Sequence, residues 1–165
     1  MTQHTHMRGV VDVRDMPLYY INLDHRTDRR HHMERQFEAY DLPRHERIPG
    51  TRTEVGLVGC GMSHIRALEA FVASDHPACI VFEDDFQFTL PKETVHETFA
   101  RFFGEHGDDW DVVMLSSNTL ASEPAGSYLD RAHDVQTASG YMVNRRVAPT
   151  LLANFREGLG LFVRT

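Results

Sequence analysis

Apolar and polar positions fall into two alternating kinds of block along this chain. Leu18-Tyr19-Tyr20-Ile21 is a short run of β-forming residues behind Pro17, and it predicts a first strand. Beyond Asn22-Leu23-Asp24 charge dominates, and Met33, Phe37 and Tyr40 recur at i, i+4, i+7, one face of a helix that Asp24 or Thr27 can cap and Pro43 ends. Residues 43–63 carry Pro49 and four glycines (Gly50, Gly56, Gly59 and Gly61) and read as loop. A second helix is expected after Ser63 as N-cap, with Ile65, Leu68, Phe71 and Val72 turned inward, before Asp75-His76-Pro77 stops it. Ala78-Cys79-Ile80-Val81-Phe82 is apolar at every position, as in a central strand buried on both faces. A third helix is predicted over 92–105, with Val95, Phe99, Phe102 and Phe103 on one side. Val112-Val113-Met114-Leu115 reads as another buried strand, 116–127 as a polar loop, 134–138 as a strand and 145–155 as a helix that holds Pro149 in its first turn. The ending, 158–165, reads as a strand entering a further region. Strands alternating with helices imply an α/β fold with a mostly parallel sheet covered on both faces.

Composition narrows the class. At 165 residues one domain is expected over 16–165, behind a polar, flexible N-terminal arm at 1–15. Hydrophobic residues at 41% and charged residues at 25% argue against a wholly disordered chain. The net charge of −7 lacks the basic surface a nucleic-acid binder needs. No apolar run reaches the roughly 20 residues of a membrane span, so no transmembrane anchor is expected. The start shows no apolar leader, and Cys60 and Cys79 make neither a disulfide framework nor a zinc quartet. The expectation is a cytoplasmic protein.

The chemistry sits at strand ends. Ligands of parallel α/β sheets bind beyond the carboxyl ends of the strands, and two segments place unusual residues there. One is Asn22-Leu23-Asp24, followed by Arg26, Asp28, Arg29 and Arg30; arginines beside a helix N-terminus suit an anion such as a nucleoside diphosphate. The other is Glu83-Asp84-Asp85. Three adjacent carboxylates at the end of a buried strand repel one another, and a hard divalent cation relieves that repulsion. In extended chain Glu83 and Asp85 share a face while Asp84 points away. The glycine-dense stretch before Ser63-His64 lets backbone approach a ligand closely, but it is neither a P-loop nor a dinucleotide fingerprint. Cys60 has no base supplied by its sequence neighbours, and no HExxH occurs.

Taken together, YYINLDHRTDRR, GLVGCGMSHIRALEAF, ACIVFEDDFQF, DVVMLSS and SGYMVNRR, in that order over 17–155, resemble glycosyltransferase family 25. That family includes bacterial lipopolysaccharide and lipooligosaccharide galactosyltransferases, with collagen galactosyltransferases as relatives. The resemblance implies a GT-A fold with a Rossmann-like sheet, short at its C-terminus. It implies a UDP-sugar donor, commonly UDP-galactose, a glycan or lipid-linked glycan acceptor, and Mn²⁺ or Mg²⁺. Glu83, Asp84 and Asp85 correspond to the metal-holding acidic motif. Asn22, Leu23, Asp24, Arg26 and Arg29 match the opening motif near the nucleotide, Ser63, His64 and Arg66 the middle motif near the donor, and Gly140 and Tyr141 a segment on the sugar side. A lipid-linked acceptor would bring the protein to the membrane periphery. The general base is not assigned; Asp111 starts a strand rather than ending one. A non-catalytic nucleotide-sugar-binding protein that has lost the C-terminal acceptor region is the alternative. A metal-dependent phosphohydrolase ranks last, for want of an isolated nucleophilic Asp followed two residues later by a second.

Overall fold

A computed structural model describes residues 12–163. Five strands form one sheet in the order β2-β1-β3-β5-β4: β1 Leu18–Asn22, β2 His45–Pro49, β3 Ala78–Glu83, β4 Val112–Pro124 and β5 Asp130–Asn144. β2, β1 and β3 are parallel; β5 lies antiparallel to both β3 and β4. The α/β class is as expected, but the sheet is mixed, because β4 and β5 form a hairpin instead of flanking a helix.

The alternation of side chains along each central strand divides the core in two. Leu18 and Tyr20 of β1, Ile80 and Phe82 of β3 and Met142 of β5 face α1 (Thr27–Ala39) and α3 (Lys92–His106), where Phe37, Phe99, Phe102 and Phe103 are buried with Trp110. Tyr19, Cys79, Val81, Tyr141 and Val143 face α2 (Gly56–Ala73) and α4 (Ala148–Val163), against Leu68, Phe71 and Leu152. This is why 78–82 is apolar throughout: both of its faces are covered. Among the described residues, no helix is long and apolar enough to cross a membrane.

Several sequence expectations are corrected. The supposed loop at 43–63 contains β2 and the first two turns of α2, so Ser63 lies inside the helix and does not cap it. Its Oγ donates to the Gly59 carbonyl at 2.7 Å and accepts from the Thr51 amide at 2.8 Å. Neither Asp24 nor Thr27 caps α1, whose N-cap position is Arg26, with no side-chain capping bond. The polar stretch 116–127 is largely strand, and the chain from 148 is helical to Val163, so no strand follows Gly158. Of the expected arm, 1–11 lie outside the described residues; Val13–Asp15 is a 3₁₀ turn with Val13 buried in the core.

Candidate functional site

β1 and β3 are parallel neighbours, so both end at the same edge of the sheet, and Asn22 and Glu83-Asp84-Asp85 arrive there together. Asn22 is 1% exposed. Its Nδ2 donates to Asp84 Oδ2 at 2.7 Å and to the Arg26 carbonyl at 3.0 Å, and its Oδ1 accepts from Arg47 Nε at 3.0 Å. Asp84, 8% exposed, accepts on its other oxygen from Arg29 at 2.9 Å. Arg29 reaches Asp85 at a longer 3.4 Å, and the Asp85 side chain is about half exposed. Arg47 also pairs with Asp24, holding that carboxyl below its usual range.

Arg29, Asp84 and Asp85 border a cleft of about 300 Å³ whose walls also include Leu23, Arg26, Arg52, Cys60, Ser63 and His64. Gly50 lets the following loop cross closely over β1: a Cβ there would lie 3.1 Å from Leu23 and 3.3 Å from the Asn22 carbonyl carbon. Gly59 does the same for the helix, since its Cβ would stand 2.4 Å from the Thr51 oxygen. Gly50 and Gly59 therefore serve chain-to-chain packing that holds 51–53 over the cleft, whereas a Cβ at Gly56 would meet nothing within 4 Å.

Glu83 turns toward α2. Its Oε1 lies 3.1 Å from His64 Nε2 and accepts from the Cys60 thiol at 3.3 Å. A carboxylate only accepts, so Nε2 carries a hydrogen; in the neutral ring Nδ1 then accepts from the Tyr141 hydroxyl at 2.9 Å. His64 is 2% exposed and its ring stacks on Phe155 at 5.5 Å. The hydrogen bond from His64 holds Glu83 below the usual carboxylate range despite its partial burial. Partial desolvation against the cleft wall, reinforced by Glu83, pushes the Cys60 thiol up to about 12.

The sequence-predicted residues thus separate by role. Leu23, Arg26, Arg29, Ser63, His64, Glu83, Asp84 and Asp85 border the cleft, and Asn22 lies directly beneath Asp84. Arg66 points to the Pro49 carbonyl at 3.3 Å instead. Tyr141 is buried behind His64. Gly140 is a packing position: a Cβ would meet Phe86 at 2.7 Å. Arg52 was missed, and so was Arg47, because the 43–63 stretch read as loop. Arg52 lies on the cleft wall with no salt bridge among the described residues.

A hard cation finds a limited seat here. The three carboxylates of 83–85 do not converge: Glu83 faces His64, both Asp84 oxygens already accept hydrogen bonds, and Asp85 is the one left largely free. A three-carboxylate cage does not fit this arrangement. An ion held by Asp85 and by the phosphates of a ligand does, which is the usual habit of Mg²⁺. Neither a protein-family model nor a curated protein matches the sequence.

Proposed function

We propose that this chain is a glycosyltransferase with a GT-A-like fold. It moves a hexosyl group, galactose first among the candidates, from a UDP-sugar to a hydroxyl of a glycan or lipid-linked glycan. The observation that carries this reading is the Asn22–Asp84–Arg29 network, which unites the two chemically unusual strand ends at one cleft. That cleft lies beyond the carboxyl ends of two parallel strands, where α/β sheets take their ligands. Arg26, Arg29 and Arg52 border it, and guanidinium groups suit a diphosphate.

In the reaction, the acceptor oxygen bonds to the anomeric carbon as the bond from that carbon to the diphosphate breaks. The acceptor's hydroxyl proton passes to a base, and UDP leaves. Asp85 with the ligand's phosphates would hold Mn²⁺ or Mg²⁺, which supplies charge neutralisation for the leaving group. Arg29 and Arg52 add fixed positive charge on the same side, and the hydrogen bonds from Asn22 and Arg29 hold the Asp84 carboxyl in one orientation. A membrane-peripheral cytoplasmic site of action follows if the acceptor is lipid-linked.

Calorimetry with UDP, UDP-galactose and UDP-glucose, with and without Mn²⁺, tests the donor half. Metal-dependent binding is expected, weakened by roughly 10–100-fold in Arg29→Ala, which removes a charge-assisted hydrogen bond of about 1.5–3 kcal/mol. Absence of binding to every UDP-sugar with either metal overturns the proposal. UDP release on adding acceptor sugars separates an enzyme from a binding protein. The second reading keeps some weight because two of the three strand-tip carboxylates are already engaged.

A further inference from the structure

We propose that Cys60, His64 and Glu83 form a binding site for a borderline-soft divalent cation of the Zn²⁺ class, separate from the hard-cation position at Asp85. This goes beyond glycosyl transfer and does not depend on it.

The three side chains come from two elements. Cys60 and His64 are four residues apart on α2 and so share a helix face. Glu83 reaches them from the end of β3. Among the described residues this is the one group of three such side chains whose ligand atoms all lie within 4.8 Å of one another. Zn²⁺ holds sulfur at about 2.3 Å and nitrogen or oxygen at about 2.0–2.2 Å, so the edges of its tetrahedron run roughly 3.3–3.7 Å. The S···O and N···O separations here, 3.3 and 3.1 Å, are already close to those edges. Two hydrogens, from a thiol and an imidazole, aim at one carboxylate oxygen, and a cation can stand in their place. The sulfur, nitrogen and oxygen donor set suits Zn²⁺ and disfavours Mg²⁺.

The surroundings resemble a metal shell in further respects. Phe155 stacked on the ring and Tyr141 behind Nδ1 fix the imidazole plane, the part that outer-shell groups play around a metal-bound histidine. All three residues line the arginine-bearing cleft and also a second cavity of about 670 Å³ between α2, α4 and the β4–β5 hairpin, with Leu151, Phe155 and Leu159 on its apolar wall. A fourth coordination position would open into this space, as in exchangeable three-ligand sites. On loading, the Cys60 thiol gives its proton to solvent and binds as thiolate. The single His64 ring proton moves from Nε2 to Nδ1, where the Tyr141 oxygen accepts it, and Glu83 binds as the carboxylate it already is. One proton leaves per ion and nothing is oxidised.

The test uses the full chain, reduced and stripped with EDTA. Co²⁺ should give a thiolate-to-metal charge-transfer band in the near ultraviolet. Zn²⁺ calorimetry in buffers of different ionisation heat should give one ion bound and one proton released. Cys60 is exposed, so Cys60→Ser should keep the fold by circular dichroism. It should abolish the cobalt band and weaken Zn²⁺ by more than about 100-fold, while Tyr141→Phe weakens it by roughly 10-fold, within the span of an outer-shell change. Asp85→Asn should leave one Zn²⁺ bound per chain, since Asp85 is not among the three ligands. A cobalt spectrum without the thiolate band, Zn²⁺ affinity that survives Cys60→Ser, or no Zn²⁺ binding by the unsubstituted chain overturns the proposal.

Discussion

Asn22 uses both ends of its side chain and its backbone carbonyl. Its side-chain amide donates to Asp84 and to the Arg26 carbonyl, its side-chain oxygen accepts from Arg47, and its own carbonyl accepts from Arg47 and from the Gly50 amide. Asn22→Ala therefore leaves a buried carboxylate short of a donor, and urea unfolding should show a loss of about 1–3 kcal/mol. Asn22→Asp should be worse, because it sets two carboxylates side by side in a buried place. Glu83 makes a prediction in pH. Its pKa in the folded chain is lowered, chiefly by His64, so its stabilisation is present above the unfolded value and is lost as pH falls through the folded one. The urea midpoint should drop as pH is lowered below about 4.3, the ordinary glutamate value, and the drop should be shallower in His64→Gln. At this scale the sequence marked Asn22 and the acidic tip from their place at strand ends, and His64 only through the family resemblance. It gave no sign of the packing at Gly140, since nothing local reveals that Phe86 occupies the space a Cβ would need.

α2 shows how tertiary contact overrides propensity. Gly56, Gly59 and Gly61 fall in its first two turns, each costing about 1 kcal/mol against alanine in a helix. The helix forms there nonetheless because Gly59 and Ser63 dock against Thr51, a contact no local pattern announces. The other end of α2 is held by Arg145, at the junction of β5 and α4. Its guanidinium donates to the Phe71 carbonyl at 3.0 Å, the His76 carbonyl at 2.6 Å and the Ser74 carbonyl, and lies 5.0 Å over the Phe71 ring. It thereby satisfies acceptors that the helix terminus leaves open and complements the negative end of the dipole. Arg145→Ala should cost about 2–4 kcal/mol by thermal or urea unfolding. Lys should recover little, because a point charge cannot serve a fan of carbonyls. Arg145 stood in the sequence merely as the first residue of an expected helix. β2 escaped notice for a related reason: His45–Pro49 is an edge strand with only Ile48 buried, and its polar, proline-ended run has no strand period.

Across the molecule, order is uneven. Residues 140–144 of β5 are flanked by β3 and β4, whereas the outer half of the hairpin pairs only with itself and is largely exposed. Two-stranded ribbons are marginal in water. Native-state hydrogen exchange should therefore show amides of 118–123 and 131–136 exchanging well before those of 78–82 and 141–143; equal protection would mean that the ribbon is covered in solution. The apolar faces of α1 and α3 and of α2 and α4 enclose the inner sheet on its two sides, which concentrates the slow-exchanging core there.

The sequence by itself determined what depends on neighbouring positions. The doubly buried 78–82 strand, the period of the 92–105 helix and the arrival of polar chemistry at two strand ends all follow from side-chain alternation and local charge. Tertiary structure decided what depends on distant parts of the chain meeting. It paired Asn22 with Asp84 across 62 residues, brought His64 to both Glu83 and Tyr141, and reversed β5 within the sheet. The three adjacent carboxylates looked like one ligand set in sequence. In the fold Glu83 turns to Cys60 and His64 of α2 while Asp84 and Asp85 share Arg29 of α1, because their partners come from elements that are remote until the sheet closes them together.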